Sequence, residues 1–428
     1  MAMALEGLRI LDLTHVWAGP TCNKLLGDMG AEVIKVESAK RMDTVRGEAN
    51  PAAVGGGFYP DGITGKRPWN RTGHFNDRNR SKLGICLDLT HPKGIEAVKR
   101  LVAVSDVVAE SFRVGVMDRF GLSYEELKKV KSDIIMISLY SQGATGPEKT
   151  YGSFGATLEQ TAGVASFTGY IGGHPTTSGT FFPDPVVALL GAGTILAAVR
   201  HRNRTGQGMY IDLSQRETTT NVIGEAIMDY TMNGRIWEPM GNRHQVYAPQ
   251  GVYRCSGDDM WVAITVRSDA EWANLCAVMG KPELAMDAQR FGDVISRRHH
   301  QDELDGIITA WTQPQDAYEV MHKLQKSGVP AGVAQKGKQI LEDPHFANRG
   351  FWEVVSHPEA GTHPYLSRPF RHSKTPGSSR MHAPLLGQHT EQVLRDVAGF
   401  SEEEIKELAE LGITSNIPPG APEDAFTD

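Results

Sequence analysis

The chain has 428 residues, with 44 Lys and Arg against 51 Asp and Glu, a formal net charge of −7, 40% hydrophobic residues and 4 cysteines. That length suits two or three domains with a large buried core, and a charged fraction of 22% with 46 glycines argues against long disorder or fibrous repeats. The acidic balance argues against a nucleic-acid partner while leaving room for a local basic pocket. Cys22, Cys86, Cys255 and Cys276 lack metal-ligand or disulfide spacing and predict reduced thiols in a cytoplasmic protein.

Residues 1–13 lack the charged and apolar regions of a signal peptide. A strand is predicted over 8–13, a helix over 20–29 stopped by Gly30, and a second strand over 33–36. This is a β-α-β unit with parallel strands and a right-handed crossover. A helix follows over 91–104, with Thr90 as N-cap and Pro92 in its first turn. Further strands begin at 106–108 and 133–139, and the alternation predicts an α/β doubly wound sheet across about residues 1–200. The apolar run 186–199 is too short to span a bilayer and predicts a buried helix, so no membrane association is expected.

A short strand at 210–213 follows the turn Thr205-Gly206-Gln207-Gly208, and a helical stretch covers 217–230. Near Pro239 a different region begins, with a strand over 260–266 and helices over 270–279 and 302–311. These predict a smaller α+β domain. From Gln335 onward the chain is irregular until helices at 389–397 and 401–411, and the Pro- and acid-rich segment 414–428 predicts an extended tail.

An opening β-α-β unit invites a dinucleotide reading, and Glu37 stands where an acidic ribose ligand would be. The connection His15-Val16-Trp17-Ala18-Gly19-Pro20, however, lacks G-x-G-x-x-G, and Trp17 would block a pyrophosphate. No nucleotide redox cofactor is expected. Gly191-Ala192-Gly193 sits inside an apolar helix, where small residues serve close packing, and no phosphate loop is present. Ser141 lacks the preceding glycine of a nucleophile elbow. His299-His300 beside Arg297-Arg298 reads as a solvated face, and no metal site is expected.

Asp184, in Phe182-Pro183-Asp184-Pro185-Val186-Val187, has two readings. As an N-cap ahead of Pro185 it would stabilise its helix by about 1 kcal/mol. Alternatively, the helix dipole and amide donors keep this carboxylate ionised, and in a desolvated cleft it is a nucleophile toward an activated acyl group. Spacing alone does not choose between them.

The sequence as a whole resembles the class III CoA-transferases, the formyl-CoA transferase and carnitine CoA-transferase group. The resemblance runs from His15-Val16-Trp17-Ala18-Gly19-Pro20 through Gly30-Ala31-Glu32-Val33-Ile34-Lys35-Val36-Glu37. It continues in Asn79, Lys82, Leu87-Asp88-Leu89, Glu110-Ser111-Phe112-Arg113-Val114-Gly115 and Arg119-Phe120-Gly121-Leu122. Later blocks are Thr205-Gly206-Gln207-Gly208, Gly241-Asn242 and Ala383-Pro384-Leu385-Leu386-Gly387-Gln388-His389-Thr390.

The resemblance implies an enzyme whose nucleophile is Asp184, acting on acyl-CoA and carboxylic acid substrates through aspartyl anhydride and aspartyl-CoA thioester intermediates. For coenzyme A it implies Val16, Trp17, Ala18, Leu87, Asp88, Leu89, Thr90, Ser111, Phe112, Arg113, Arg119, Tyr151, Gly152, Ser153 and Phe154. Read without the family, Arg119 is a surface arginine, and Leu87 and Leu89 suit an ordinary buried strand. The implied fold is α/β: a Rossmann-like large domain formed from both chain ends, a smaller central α+β domain, and an interlocked-ring dimer. The expected plan is 1–200 large domain, 201–225 linker, 226–330 small domain, 331–350 linker, and 351–428 return to the large domain and tail. A homodimer is expected, with a heteromer including a paralogous subunit as the alternative.

Three departures bear on the substrate. Ser38 replaces the arginine of the formyl-CoA branch, so Lys40 or Arg41 takes over a phosphate contact; Trp17 replaces its glutamine. The branch's glycine-rich loop is replaced by Gly241-Asn242-Arg243-His244-Gln245. These argue against formate and oxalate and for a larger acid, with His15, Arg243 and His244 meeting the second carboxylate of a dicarboxylate such as succinate. Two rivals are an acyl-CoA racemase of the sister group, whose histidine is missing from Phe154-Gly155-Ala156-Thr157, and a non-catalytic CoA-binding subunit.

Overall fold

The alternating apolar runs of the N-terminal half build one six-stranded parallel sheet in a computed structural model that describes residues 3–51 and 58–426. The strands are β1 (Arg9–Leu13), β2 (Glu32–Glu37), β3 (Lys82–Cys86), β4 (Val107–Glu110), β5 (Ile135–Tyr140) and β6 (Met209–Ser214). Their order, β3-β2-β1-β4-β5-β6, reverses direction between β1 and β4, the doubly wound pattern with its switch point there.

Period-two alternation divides the strand side chains between two cores. Leu11, Leu13, Ile34, Val36, Val108 and Met136 pack on one face with α3 (Pro92–Ala103) and α5 (Tyr124–Val130), the short α4 (Val116–Arg119) lying between those helices in the chain. Ile10, Val33, Val107, Ile135 and Ile137 pack on the other with α1 (Ala18–Asp28) and α7 (Pro183–Thr205). The small α2 (Gly73–Arg78) leads into β3, and α6 (Gly155–Thr161) precedes α7. A Cβ on Gly191 would stand 3.3 Å from Cys22 Sγ, so the small residues of α7 do permit its approach to α1. All four cysteines are free and buried.

Several expectations are corrected. Helix α7 extends well beyond 186–199 and is long and apolar enough to cross a bilayer by length and composition alone. It packs as a core helix through Val187, Ala188, Gly191, Ile195 and Ala198, while Leu189, Leu190 and Leu196 are exposed. Asp184 is not its N-cap: Pro183 takes the first helical position after Phe182, placing Asp184 second. Helix α3 is capped by the His91 ring, which accepts from Lys93 N–H, because the Thr90 hydroxyl donates to Asp88. Residues 201–225, expected as a linker, instead supply the end of α7, the edge strand β6 and α8 (Gln215–Thr220), before α9 (Gly224–Asn233).

The chain separates into two units. The first comprises Met1–Val164, Thr177–Gly234 and Asn348–Asp428; the second comprises Ala165–Thr176 and Arg235–Ala347. The second has the strands β7 (Gln250–Arg254), β8 (Trp261–Thr265) and β9 (Ala331–Val333) in an antiparallel sheet. Around it come α10 (Asp269–Val278), α11 (Glu283–Met286), α12 (Val294–His299), α13 (Gln301–Thr312) and α14 (Ala317–Lys326). Trp272, Phe291, Leu304 and Val320 centre its core.

The C-terminal stretch also differs from expectation. Residues 335–388 contain the hairpin of β10 (Trp352–His357) and β11 (Gly361–Leu366). Beyond it, the His389 ring and Thr390 hydroxyl accept from Gly84 and Cys86 N–H on β3. The tail is docked rather than free: Ala425 is buried with Trp69, and the Phe426 ring lies 6.2 Å from Trp69.

Candidate active site

The connections leaving the carboxyl ends of the strands meet at the β1/β4 switch point, where ligands of doubly wound sheets bind. After β1 the chain runs Thr14-His15-Val16-Trp17 into α1; after β4 it runs Ser111-Phe112-Arg113. The His15 N–H donates to Ser111 Oγ at 2.9 Å, tying the two connections together. Between them opens a cleft of about 830 Å³, continuous with an inner recess of about 220 Å³. His15, Val16, Ser111, Phe112 and Arg113 line both.

The outer cleft gathers Lys40, Arg41, Arg113 and Arg119 around an apolar wall that includes Leu87 and Leu89. Asp88, Thr90 and Phe154 of the expected group also line it, as does Ser38. Lys40 is already engaged, with Nζ 2.6 Å from Asp88. Asp88 also accepts from the Thr90 amide and hydroxyl; burial is the largest single influence on its pKa and raises it, but the Lys40 and Thr90 donors together outweigh burial and lower it. Arg41, Arg113 and Arg119 have no carboxylate partner among the described residues, and so are the cations the cleft leaves for an anion. A region of this shape, apolar along one wall and cationic at its mouth, suits a phosphorylated ligand with an adenine-sized ring.

The recess receives Ala18, Tyr151, Gly152, Ser153 and Phe154 together with Asp184. Asp184 is 9% exposed. Burial pushes its pKa up to about 6, against the favourable charge of Arg78 and the N–H groups of Ala18 and of Asp184 itself. Desolvation thus outweighs the donors that the sequence suggested would dominate. At pH 7 the carboxylate is still ionised by about ten to one, and a partly desolvated carboxylate is a stronger nucleophile than a hydrated one. His15 is held neutral at pH 7, because burial lowers its pKa.

Two further residues shape this carboxylate. Gly155, the first residue of α6, is placed so that a Cβ would come 2.6 Å from an Asp184 carboxylate oxygen and 2.5 Å from Phe181 Cβ. Arg78, at the end of α2, stacks 4.1 Å over the Trp17 ring. Sequence reasoning missed both. Trp17 does not line the cleft; its ring is the platform for Arg78.

Arg243 and His244 belong to the second unit, and the structure gives both other partners. The Arg243 guanidinium donates to Asp302 and, at 2.7 Å, to Asp305, so a substrate carboxylate would have to displace one of them. The His244 ring accepts from the Val246 and Tyr247 N–H groups and stacks on Tyr247 at 4.5 Å. No cluster of three or more potential metal ligands occurs among the described residues.

A doubly wound sheet with a cationic cleft leading to a buried carboxylate defines an α/β enzyme that takes a long anionic ligand. The chain matches the model of CoA-transferase family III over residues 5–390 and belongs to that family. It is therefore a CoA-transferase acting on CoA thioesters and acids. It is 34% identical to succinyl-CoA–D-citramalate CoA-transferase of Chloroflexus aurantiacus, over 94% of this chain and 96% of that one. It is 32% identical to the succinyl-CoA–L-malate CoA-transferase beta subunit of the same organism, over 95% and 97%. Among solved structures it resembles a CAIB/BAIF family protein from Brucella suis, with a TM-score of 0.83 and 29% identity over 92% of this chain and 100% of that one.

Proposed function

We propose that this enzyme moves CoA from succinyl-CoA to a small dicarboxylic acid by double displacement on Asp184. The single observation that carries the reading is the position of the Asp184 carboxylate, buried at the inner end of a cleft whose mouth holds free arginines. A pantetheine arm is long and thin, and an outer cleft of about 830 Å³ adjoining a recess of about 220 Å³ offers room for a nucleotide in the first and a thioester in the second.

In the first step a carboxylate oxygen of Asp184 attacks the thioester carbonyl; the C–S bond breaks and CoA leaves as thiolate, giving a mixed anhydride. The thiolate then attacks the aspartyl carbonyl, the anhydride C–O bond breaks, and the donor acid departs as carboxylate. The acceptor carboxylate attacks the aspartyl-CoA thioester, expelling thiolate and forming a second anhydride. Thiolate attack on the acceptor carbonyl releases the new thioester and restores Asp184. Each step exchanges one activated acyl group for another, so no external energy source enters. Water exclusion is essential, since water would intercept either intermediate.

Succinyl-CoA as donor is supported by the names of both relatives, and a small dicarboxylate as acceptor by the acids those names carry. Within the recess, Arg113 and Lys149 have no carboxylate partner among the described residues and stand beside neutral His15, a set suited to a second carboxylate. The exposed Leu189, Leu190 and Leu196 face of α7 is consistent with association, as a homodimer or with a paralogous subunit.

The test is a mass-spectrometric screen of CoA exchange between succinyl-CoA or acetyl-CoA and a panel of mono- and dicarboxylic acids, with Asp184→Ala as blank. Hydroxylamine added during turnover should leave a hydroxamate on the Asp184 peptide. Exchange retained in Asp184→Ala overturns the nucleophile, and a preference for monocarboxylic acids overturns the substrate class.

A further inference from the structure

The connection that carries Ala18 to Asp184 passes through a backbone conformation it would not adopt by itself. Val16 has φ +74°, in the left-handed region that a β-branched side chain strongly disfavours. Something must hold it, and the surrounding hydrogen bonds show what does. The Val16 N–H donates to Asp43 Oδ1 at 2.9 Å. The other carboxylate oxygen, Oδ2, receives Lys35 Nζ at 3.1 Å, and the same ammonium donates to the Thr14 carbonyl at 2.8 Å.

One buried ion pair therefore grips the turn from both sides, at the carbonyl of residue 14 and the amide of residue 16. Both side chains are fully buried. Behind them the Asp43 N–H reaches Glu37 at 3.4 Å, and Glu37 is fixed by a two-pronged contact with Arg46 at 2.8 Å in each prong. Arg78 donates to the Val16 carbonyl at 3.4 Å on the other side.

Buried ion pairs are seldom retained for stability alone, because well-packed apolar residues of similar volume often serve as well. Here the pair does something apolar residues could not: it supplies an acceptor and a donor to the two backbone groups that the strained turn leaves without partners. We propose that Asp43, backed by Lys35, is a positioning residue for the transfer chemistry, holding the Val16 turn so that the Ala18 N–H stays beside the Asp184 carboxylate in the recess both line. The proposal rests on Asp184 being the nucleophile.

The decisive variant is the apolar pair Asp43→Leu/Lys35→Met, which fills the same space without gripping the turn. It is expected to fold with a lowered unfolding midpoint, because two buried backbone groups lose their partners, and to lose at least thirtyfold in kcat for CoA exchange, since small displacements of a reacting group are costly. Losing the Ala18 donor also moves the acidic limb of the kcat–pH profile upward, a change that general loosening does not produce. The other groups facing Asp184 in the recess are Arg78, Arg113, Lys149, His15, Tyr140 and Tyr151; of these, Arg78 and His15 feel the Asp43 charge, which Lys35 opposes at His15.

A folded double variant with the parent kcat and acidic limb overturns the proposal. Should that variant not fold, Asp43→Asn decides: it keeps an oxygen for Val16 N–H but weakens the hold of Lys35. A three- to tenfold loss of kcat with a raised limb supports the proposal, and parent values overturn it. Exchange surviving in Asp184→Ala would instead overturn the underlying nucleophile reading, so the two failures are distinguishable.

Discussion

Asp184 and Gly155 are sterically matched: a Cβ at residue 155 would stand 2.6 Å from a carboxylate oxygen of Asp184. Gly155 begins α6 and has no unusual φ, so the requirement for glycine comes from space alone. The neighbouring atom on the other side is Phe181 Cβ, at 2.5 Å, in a residue itself held at φ +50°. To make room, the Asp184 carboxylate would have to turn and the Phe181 backbone to shift. Gly155→Ala is therefore expected to lower kcat about a hundredfold and to cost about 1–3 kcal/mol of stability through overpacking. Steady-state exchange kinetics and thermal unfolding of the purified variant check this; unchanged kcat would contradict the geometry.

Asp184 should also weaken the fold that holds it. Its pKa is about 6 in the folded chain, against an ordinary value of 3.8, so the folded state binds the proton more tightly than the unfolded state. Below about pH 4 the carboxyl is protonated in both states and contributes no penalty. As pH rises through 4 to 6 the unfolded chain ionises first, and above 6 the full penalty is present, about 3 kcal/mol. Asp184→Asn removes the charge. Its unfolding midpoint should exceed the parent's at pH 7.5, with the advantage shrinking toward pH 4.5. An advantage independent of pH would show that burial of the charge is not its origin.

The parallel sheet was legible because each strand is a short apolar run bounded by a helix of opposite periodicity, as in β1, α1 and β2. The residues that the family resemblance implies for coenzyme A, Trp17 apart, line one cleft and its recess. Other features were hidden for specific reasons. Two prolines flank Asp184 and either suits a first helical position, so the sequence pattern alone points to Pro185 where the fold uses Pro183. The hairpin strand β11 contains Pro364, which reads against a strand until its edge position is known. Arg78 and Asp43 acquire their roles only when the folded chain brings α2 and the segment after β2 against the β1–α1 turn; their local sequence carries no sign of it.

Arg119 tests the outer cleft. It lines the mouth without a carboxylate partner among the described residues, far enough along the cleft to be absent from the recess of Asp184. A contact made equally in the ground and transition states changes KM and leaves kcat alone. Arg119→Ala is expected to raise the KM for the CoA thioester about tenfold with kcat within twofold, consistent with the loss of one charge-assisted contact of about 1.5 kcal/mol. The same variant should show a shallower rise of KM with salt than the parent. A fall in kcat at saturating thioester would place Arg119 nearer the chemistry than the cleft does.

Arg78 connects the electrostatics of Asp184, the proposed nucleophile, to the shape of the turn beside it. Its positive charge opposes the effect of burial on Asp184, and its guanidinium both stacks on Trp17 and donates to the Val16 carbonyl. Replacing it with methionine keeps the bulk and removes the charge, so the Asp184 pKa should rise further above 6. Because the proposed double displacement needs the ionised form, the loss in kcat should be greatest at pH 6 and should narrow at pH 8.5, where the carboxylate ionises even without Arg78. Arg78→Lys makes the opposite separation: it preserves a charge but not the planar stack. Its acidic limb should remain near that of the parent while kcat falls at all pH values, through the Val16 turn. The pair of profiles, measured on CoA exchange from succinyl-CoA across pH 5.5–8.5, distinguishes the two roles; a pH-independent loss in Arg78→Met would remove the electrostatic one.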